Sequence, residues 1–226
     1  MVGEITQSML PVVTLKLNAG EQVFTESGGM SWMDDAFKME TSTNGGIGVG
    51  IGRMLAGESL FMNIYTAEKD DAEIAFASSF PGEVLHFDLQ EGQEIIAQKK
   101  AFMVGEKTVQ MKMHFNKKFG AGLFGGEGFI MQKITGPGKV YLECDGNLVK
   151  KEIKQGEPLK VDNGYIVAMT SGVNIDIQMV KGIKNVFFGG EGLFLTTLSG
   201  EGTVWLQSMP ICKLAGAIQP YVYTGK

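Results

Sequence analysis

Apolar and polar residues alternate with a period of two along much of this chain. In Val173-Asn174-Ile175-Asp176-Ile177-Gln178-Met179 every odd position is apolar and every even one polar, and Val109-Gln110-Met111-Lys112-Met113-His114-Phe115 repeats the arrangement. Successive side chains of a strand point to opposite faces. Each segment therefore predicts a strand with one buried and one wetted face, as in antiparallel sandwiches and barrels. Asp162-Asn163-Gly164 ahead of Tyr165-Ile166-Val167 predicts a hairpin, because Asn-Gly accepts the positive φ angles of a type I′ turn. Asp145-Gly146-Asn147 and Pro81-Gly82 mark further turns. Helical patterning is confined to a turn or two between Ile211 and Ile218. The fold class is all-β.

The strands recur in order. Gly57-Glu58-Ser59-Leu60-Phe61-Met62, Gly126-Glu127-Gly128-Phe129-Ile130-Met131 and Gly190-Glu191-Gly192-Leu193-Phe194-Leu195 share the form Gly-Glu-small-apolar-apolar-apolar. A second phrase, a strand ending in Gly-(Glu/Gln), closes at Gly20-Glu21, Gly92-Gln93 and Gly156-Glu157. A third appears as Gly136-Pro137-Gly138-Lys139-Val140-Tyr141-Leu142 and Gly200-Glu201-Gly202-Thr203-Val204-Trp205-Leu206. Repeats at a near-constant spacing mean that the structural unit is smaller than the chain. The expectation is a tandem triplication into antiparallel β-sandwich modules spanning 1–80, 81–145 and 146–226, the last with a short C-terminal extension. Units of this size lie near the lower limit for an independent core, so they are expected to share interfaces.

Composition narrows the function. The 226 residues carry 20 Lys and Arg against 25 Asp and Glu, a net charge of −5. Nucleic-acid binding ordinarily needs a basic footprint, and the clusters Lys99-Lys100, Lys117-Lys118 and Lys150-Lys151 read as solvated strand ends flanked by carboxylates. Cys144 shares a strand face with Val140 and Leu142 and reads as a small buried hydrophobe, while Cys212 belongs to no metal or redox spacing. The N-terminus lacks a basic and an apolar targeting region, and no apolar stretch is long enough to span a membrane. The expected location is the cytoplasm.

Chemical motifs are sparse. The glycines from Gly45 to Gly52 are not followed by Gly-Lys-Ser/Thr, and Leu55 stands where a dinucleotide loop would need its third glycine. A cupin-type metal site needs two or three histidines with a carboxylate, and only His86 and His114 exist, both on the polar faces of their strands. Glu58, Glu127 and Glu191 are equivalent carboxylates, whereas a catalytic pair needs unlike environments. Their expected task is to accept backbone N–H groups at a glycine bend. With Gly57, Gly126 and Gly190 they form the structural repeat motif. Neither a catalytic residue, a metal site nor a cofactor is assigned. Trp32 and Trp205 read as core or interface anchors.

Apolar residues in the Gly-rich connections before each Gly-Glu phrase are the candidate interface: Ile47, Val49 and Ile51; Leu123 and Phe124; Val186, Phe187 and Phe188. A loop of this kind is polar unless something covers it. A neighbouring module or subunit is the expected cover, with a ligand or membrane contact as the alternative.

The Gly-Gly-Glu-Gly-(Phe/Leu) phrase, the Thr/Ser-Gly-x-Gly-x-Val-(Tyr/Trp)-Leu phrase and Asp162-Asn163-Gly164 ahead of an apolar strand resemble the altered inheritance of mitochondria protein 24 family. The resemblance runs from about Met9 to Tyr221 and is densest from Gly125 to Leu206. It implies three short double-stranded β-helix modules in pseudo-threefold arrangement, similar to the module of the trp RNA-binding attenuation protein, which assembles into rings. That protein binds RNA through repeated basic positions, and no such triplet recurs here, so no nucleic-acid partner is expected. The reading that follows is a non-enzymatic structural or interaction protein, an oligomeric β scaffold. Its partners are itself, as a homo-oligomer with a trimer expected, and a protein yet to be identified. The alternatives are a small-ligand or RNA-binding ring protein and a degenerate cupin-like enzyme.

Overall fold

The computed structural model describes residues 1–42, 62–117, 128–179 and 194–222. Strand follows strand, as the alternating pattern requires. The first group is β1 (Val2–Ile5), β2 (Val12–Leu17), β3 (Gln22–Glu26), β4 (Trp32–Met33), β5 (Phe37–Ser42), β6 (Met62–Ala67) and β7 (Ala72–Ala77). Next come β8 (Gly82–Leu89), β9 (Glu94–Gln98), β10 (Phe102–Glu106), β11 (Gln110–Lys117), β12 (Phe129–Thr135) and β13 (Gly138–Asp145). The last group is β14 (Leu148–Ile153), β15 (Leu159–Asp162), β16 (Ile166–Thr170), β17 (Val173–Met179), β18 (Phe194–Gly200) and β19 (Gly202–Gln207). A short helix, α1 (Ile211–Ile218), follows where the sequence predicts it.

All pairings are antiparallel, and they follow one rule. In the first group β2 and β4 flank β7, while β3 and β5 flank β6. In the second, β8 and β10 flank β13, while β9 and β11 flank β12. In the third, β14 and β16 flank β19, while β15 and β17 flank β18. Sheets also cross the group boundaries. β3 pairs with β10 through Phe24↔Gly105, and β9 pairs with β16 through Ile96↔Met169. The result is two six-stranded sheets flanked by a four- and a three-stranded one.

Three apolar clusters fill the spaces between sheets. One gathers Val13, Leu15, Leu17, Ile74 and Phe76 with Val104 and Tyr141 of the second group. Another holds Ile95, Ala97, Ile134, Val140 and Leu142, with Phe24 and Ala168 from the groups on either side. The third combines Ile166, Met169, Val173, Ile177, Leu198 and Val204 with Ile96, Phe129 and Met131. At the first boundary the rings of Phe24 and Phe102 lie 5.3 Å apart, and the buried Thr25 hydroxyl donates to the Met103 carbonyl at 2.6 Å.

The Gly-(Glu/Gln) phrases form three matching turns. Gly20, Gly92 and Gly156 have φ of 85°, 74° and 83°, a region that glycine enters without strain. In each turn the residue after the glycine donates its N–H to a carbonyl three residues back: Asn18, Gln90 and Lys154.

One turn departs from its sequence reading. Asp162-Asn163-Gly164 does not close a hairpin, because β15 pairs with β18 and β16 with β19. Instead Asn163–Tyr165 form a 3₁₀ turn that carries the chain between sheets. The Asp162 carboxylate opens it by accepting the Gly164 N–H at 3.1 Å, a local bond that competes with the two-residue hairpin. Lys99–Ala101 make the same kind of link between β9 and β10.

Candidate functional site

Strand alternation in β13 places Val140, Leu142 and Cys144 in the core and turns Glu143 and Asp145 to the opposite face. There the two carboxylates border a cavity of about 180 Å³ at the boundary between the second and third strand groups. Its remaining lining comes from Gln98, Lys100 and Ala101 at the end of β9, from Gly164 and Gln207, and from Pro210, Ile211, Cys212 and Ala215 at the start of α1.

Each carboxylate is held. Glu143 Oε2 accepts the Ser78 hydroxyl at 3.1 Å and the Ser79 N–H at 3.0 Å. The Asp145 carboxyl accepts the backbone N–H of Ile211. The Gln207 side chain ties the neighbouring elements together: its carbonyl accepts the Asp145 N–H at 3.0 Å, and its amide donates to the Gly164 carbonyl at 2.8 Å. Burial, reinforced by the Glu143 charge and opposed by the Ile211 N–H, pushes Asp145 up to about 6. On α1, Lys213 pairs with Asp162 at 3.1 Å, anchoring the helix beside the 3₁₀ turn. Burial, then the nearby Asp162 charge, pushes the Cys212 thiol up.

This cavity joins residues from Gln98 to Ala215, and no spacing in the sequence announces it. The one local signal is Glu143-Cys144-Asp145, two acidic residues two positions apart on a strand. Gly57, Glu58, Gly126, Glu127, Gly190 and Glu191 lie outside the described residues, as do Ile47, Val49, Ile51, Leu123, Phe124, Val186, Phe187 and Phe188. The role expected of those glutamates is filled in another phrase by Glu21 and Gln93. Their side-chain oxygens accept the N–H groups of Asn18 at 2.7 Å and Gln90 at 2.8 Å.

His86 and His114 are both exposed, on β8 and β11 of different sheets. His86 stacks on Tyr141 with centroids 4.8 Å apart, and burial followed by the Lys139 charge lowers its pKa. Cys144 is fully buried, and its thiol is pushed up to about 12, chiefly by desolvation. Trp205 meets Phe87 edge-on at 5.0 Å beside the central cluster, whereas Trp32 is half exposed on β4. Lys99 is not the solvated strand end its neighbours suggest but is buried in its 3₁₀ turn. Among the described residues, no group of three His, Cys, Asp or Glu is placed to hold a metal ion. Nor, among them, is any helix long and apolar enough to cross a membrane.

Comparison with known proteins places these features in context. The family profile described as Mitochondrial biogenesis AIM24 matches residues 4–209. An uncharacterised protein of Streptococcus pyogenes serotype M6 is 30% identical over 229 aligned positions, covering 97% of this chain and 90% of its relative. A crystal structure of a Streptococcus pyogenes protein superposes with a TM-score of 0.80 at 26% identity, over 98% of this chain and 99% of that one.

Proposed function

Because the chain belongs to the Mitochondrial biogenesis AIM24 family, we propose that it acts within it as a non-enzymatic structural and interaction protein, a β scaffold of three tandem modules in pseudo-threefold arrangement. The module boundaries fall near residues 80 and 145. One observation carries the reading: the same strand pairings recur in each third of the chain, and hydrogen-bonded sheets cross both boundaries. A body locked in that way presents fixed surfaces, as a scaffold must. Self-association in the cytoplasm, with a trimer as the expected order, uses the apolar residues around Val49, Phe124 and Phe187.

Multi-angle light scattering on the full chain at micromolar concentration tests this. A mass near three times 24.4 kDa is expected, falling to that of one chain in a Phe124→Asp, Phe187→Asp variant that still melts cooperatively. A parent protein of 24.4 kDa overturns the oligomer. A second reading, small-ligand binding, is favoured by the cavity beside Glu143 and Asp145.

A further inference from the structure

The cavity of about 180 Å³ has a chemically mixed lining. Glu143 and Asp145 share it with Pro210, Ile211, Cys212 and Ala215 at the start of α1. Glu143 and Asp145 border one space although like charges on the same strand face oppose each other. Building on the small-ligand reading, we propose that this cavity binds a small primary amine, its ammonium head at Glu143 and Asp145 and its short apolar body against α1.

The arrangement selects this class by charge, hydrogen bonding and size. Both carboxylates are oriented before any ligand arrives, Glu143 by Ser78 and Ser79 and Asp145 by the Ile211 N–H. They present acceptors, so they favour a head rich in donors, and an ammonium offers three. An anionic head would add to the repulsion that Asp145 already meets from Glu143. Gln207 spends its amide on Asp145 and Gly164 and so fixes the floor rather than choosing the ligand. The other titratable groups on the lining are Lys100, which is exposed, and Cys212, whose thiol burial pushes up. The space is smaller than a drug-sized site, which runs from about 300 Å³ upward, so it suits an amine with a single ring or a short chain. An ammonium at Asp145 favours its ionised form, and binding near pH 6 therefore expels a proton.

Isothermal titration calorimetry of the full chain with phenethylamine, phenethyl alcohol and 3-phenylpropionate provides the test. The amine is expected to bind at least tenfold more tightly than either analogue. At about pH 6 its heat should vary with buffer ionisation enthalpy in the sense of proton release. Glu143→Gln and Asp145→Asn should each weaken amine binding at least tenfold. Ala215→Leu, which narrows the apolar wall without altering charge, should weaken it with the melting curve unchanged. Equal or tighter binding of the alcohol or the acid overturns the ammonium assignment and leaves the small-ligand reading standing. Silence from all three probes at millimolar concentration overturns both. Amine binding unaffected by Glu143→Gln and Ala215→Leu puts the ligand elsewhere and also overturns the proposal, whether or not Asp145→Asn folds.

Discussion

Strands at the two group boundaries are buried on both faces, while strands toward the sheet margins are buried on one. In β9 the residues Ile95, Ile96 and Ala97 are all buried, with Ile95 and Ala97 facing the central cluster and Ile96 the third. In β16 the same holds for Ile166 through Met169. In β17, by contrast, buried Val173 and Ile177 alternate with exposed Asn174, Asp176 and Gln178. Two-sided burial removes the polar positions that make a strand legible by period, leaving a short apolar run. A further contrast marks the end of the pattern. Lys160 stands three residues before its 3₁₀ turn, as Ile96 does before the other, yet β15 closes its sheet and Lys160 is exposed. A lysine on such an edge discourages a further strand.

The largest expected effect tests the first contrast. Ile96→Ala removes a side chain that is 1% exposed and should cost about 2–5 kcal/mol in denaturant unfolding. Ile175→Ala on partly exposed β17 should cost less than half as much. Equal losses would erase the distinction between boundary and margin.

Glycine substitutions sharpen the comparison next. Gly92→Ala meets only backbone strain, because φ is +74° and the space around an added Cβ is open; about 1–2 kcal/mol is expected. At Gly202, beside β16, φ is +151° and an added methyl also meets the Thr170 hydroxyl. That hydroxyl accepts the Thr203 N–H at 3.0 Å. Gly202→Ala should therefore be the more destabilising of the two by thermal melt, and a reversed order would count against a tight boundary.

A smaller effect is set by pH. The folded pKa of Asp145, about 6, lies above its ordinary 3.8, so the folded chain binds this proton more tightly than the unfolded one. The penalty for burying the charge is present above pH 6 and fades as the pH falls toward 4. Relative to Asp145→Asn, the parent should gain stability between pH 7.5 and pH 5. A constant difference in melting temperature would mean that the carboxyl is well solvated. The smallest folding effect is expected for Lys160→Val, which should leave the melt nearly unchanged while making scattering rise with concentration. No rise would mean that something other than this charge guards the edge.

The sequence made the outer architecture readable because its signals are local. Alternation places β11 and β17, and the helix from Ile211 to Ile218 appears where its pattern lies. Asp162-Asn163-Gly164 misled because turn chemistry reports φ preferences but not which strand the next residues will join. Asp162 captured the Gly164 N–H, and β16 paired with β9 across the boundary. The cavity was illegible for a related reason. Its carboxylates lie on β13, its floor is tied by Gln207, and its apolar wall is α1, so only long-range pairing brings them together.

Since β3 is bonded to β10 and β9 to β16, no strand group is hydrogen-bonded to itself alone. Cutting the chain near residue 80 would strip β10 from β3, laying bare Phe24 and the Thr25 hydroxyl that now reaches Met103. An excised strand group would be a sticky fragment, and a circular permutant would keep its fold only if both halves of each crossing sheet stayed in one polypeptide. Time is involved as well. The first crossing joins Phe24 to Gly105, 81 positions apart (105 − 24). Closing so long a loop precedes any reward from the contact, so refolding should be slow and all thirds should arrive together.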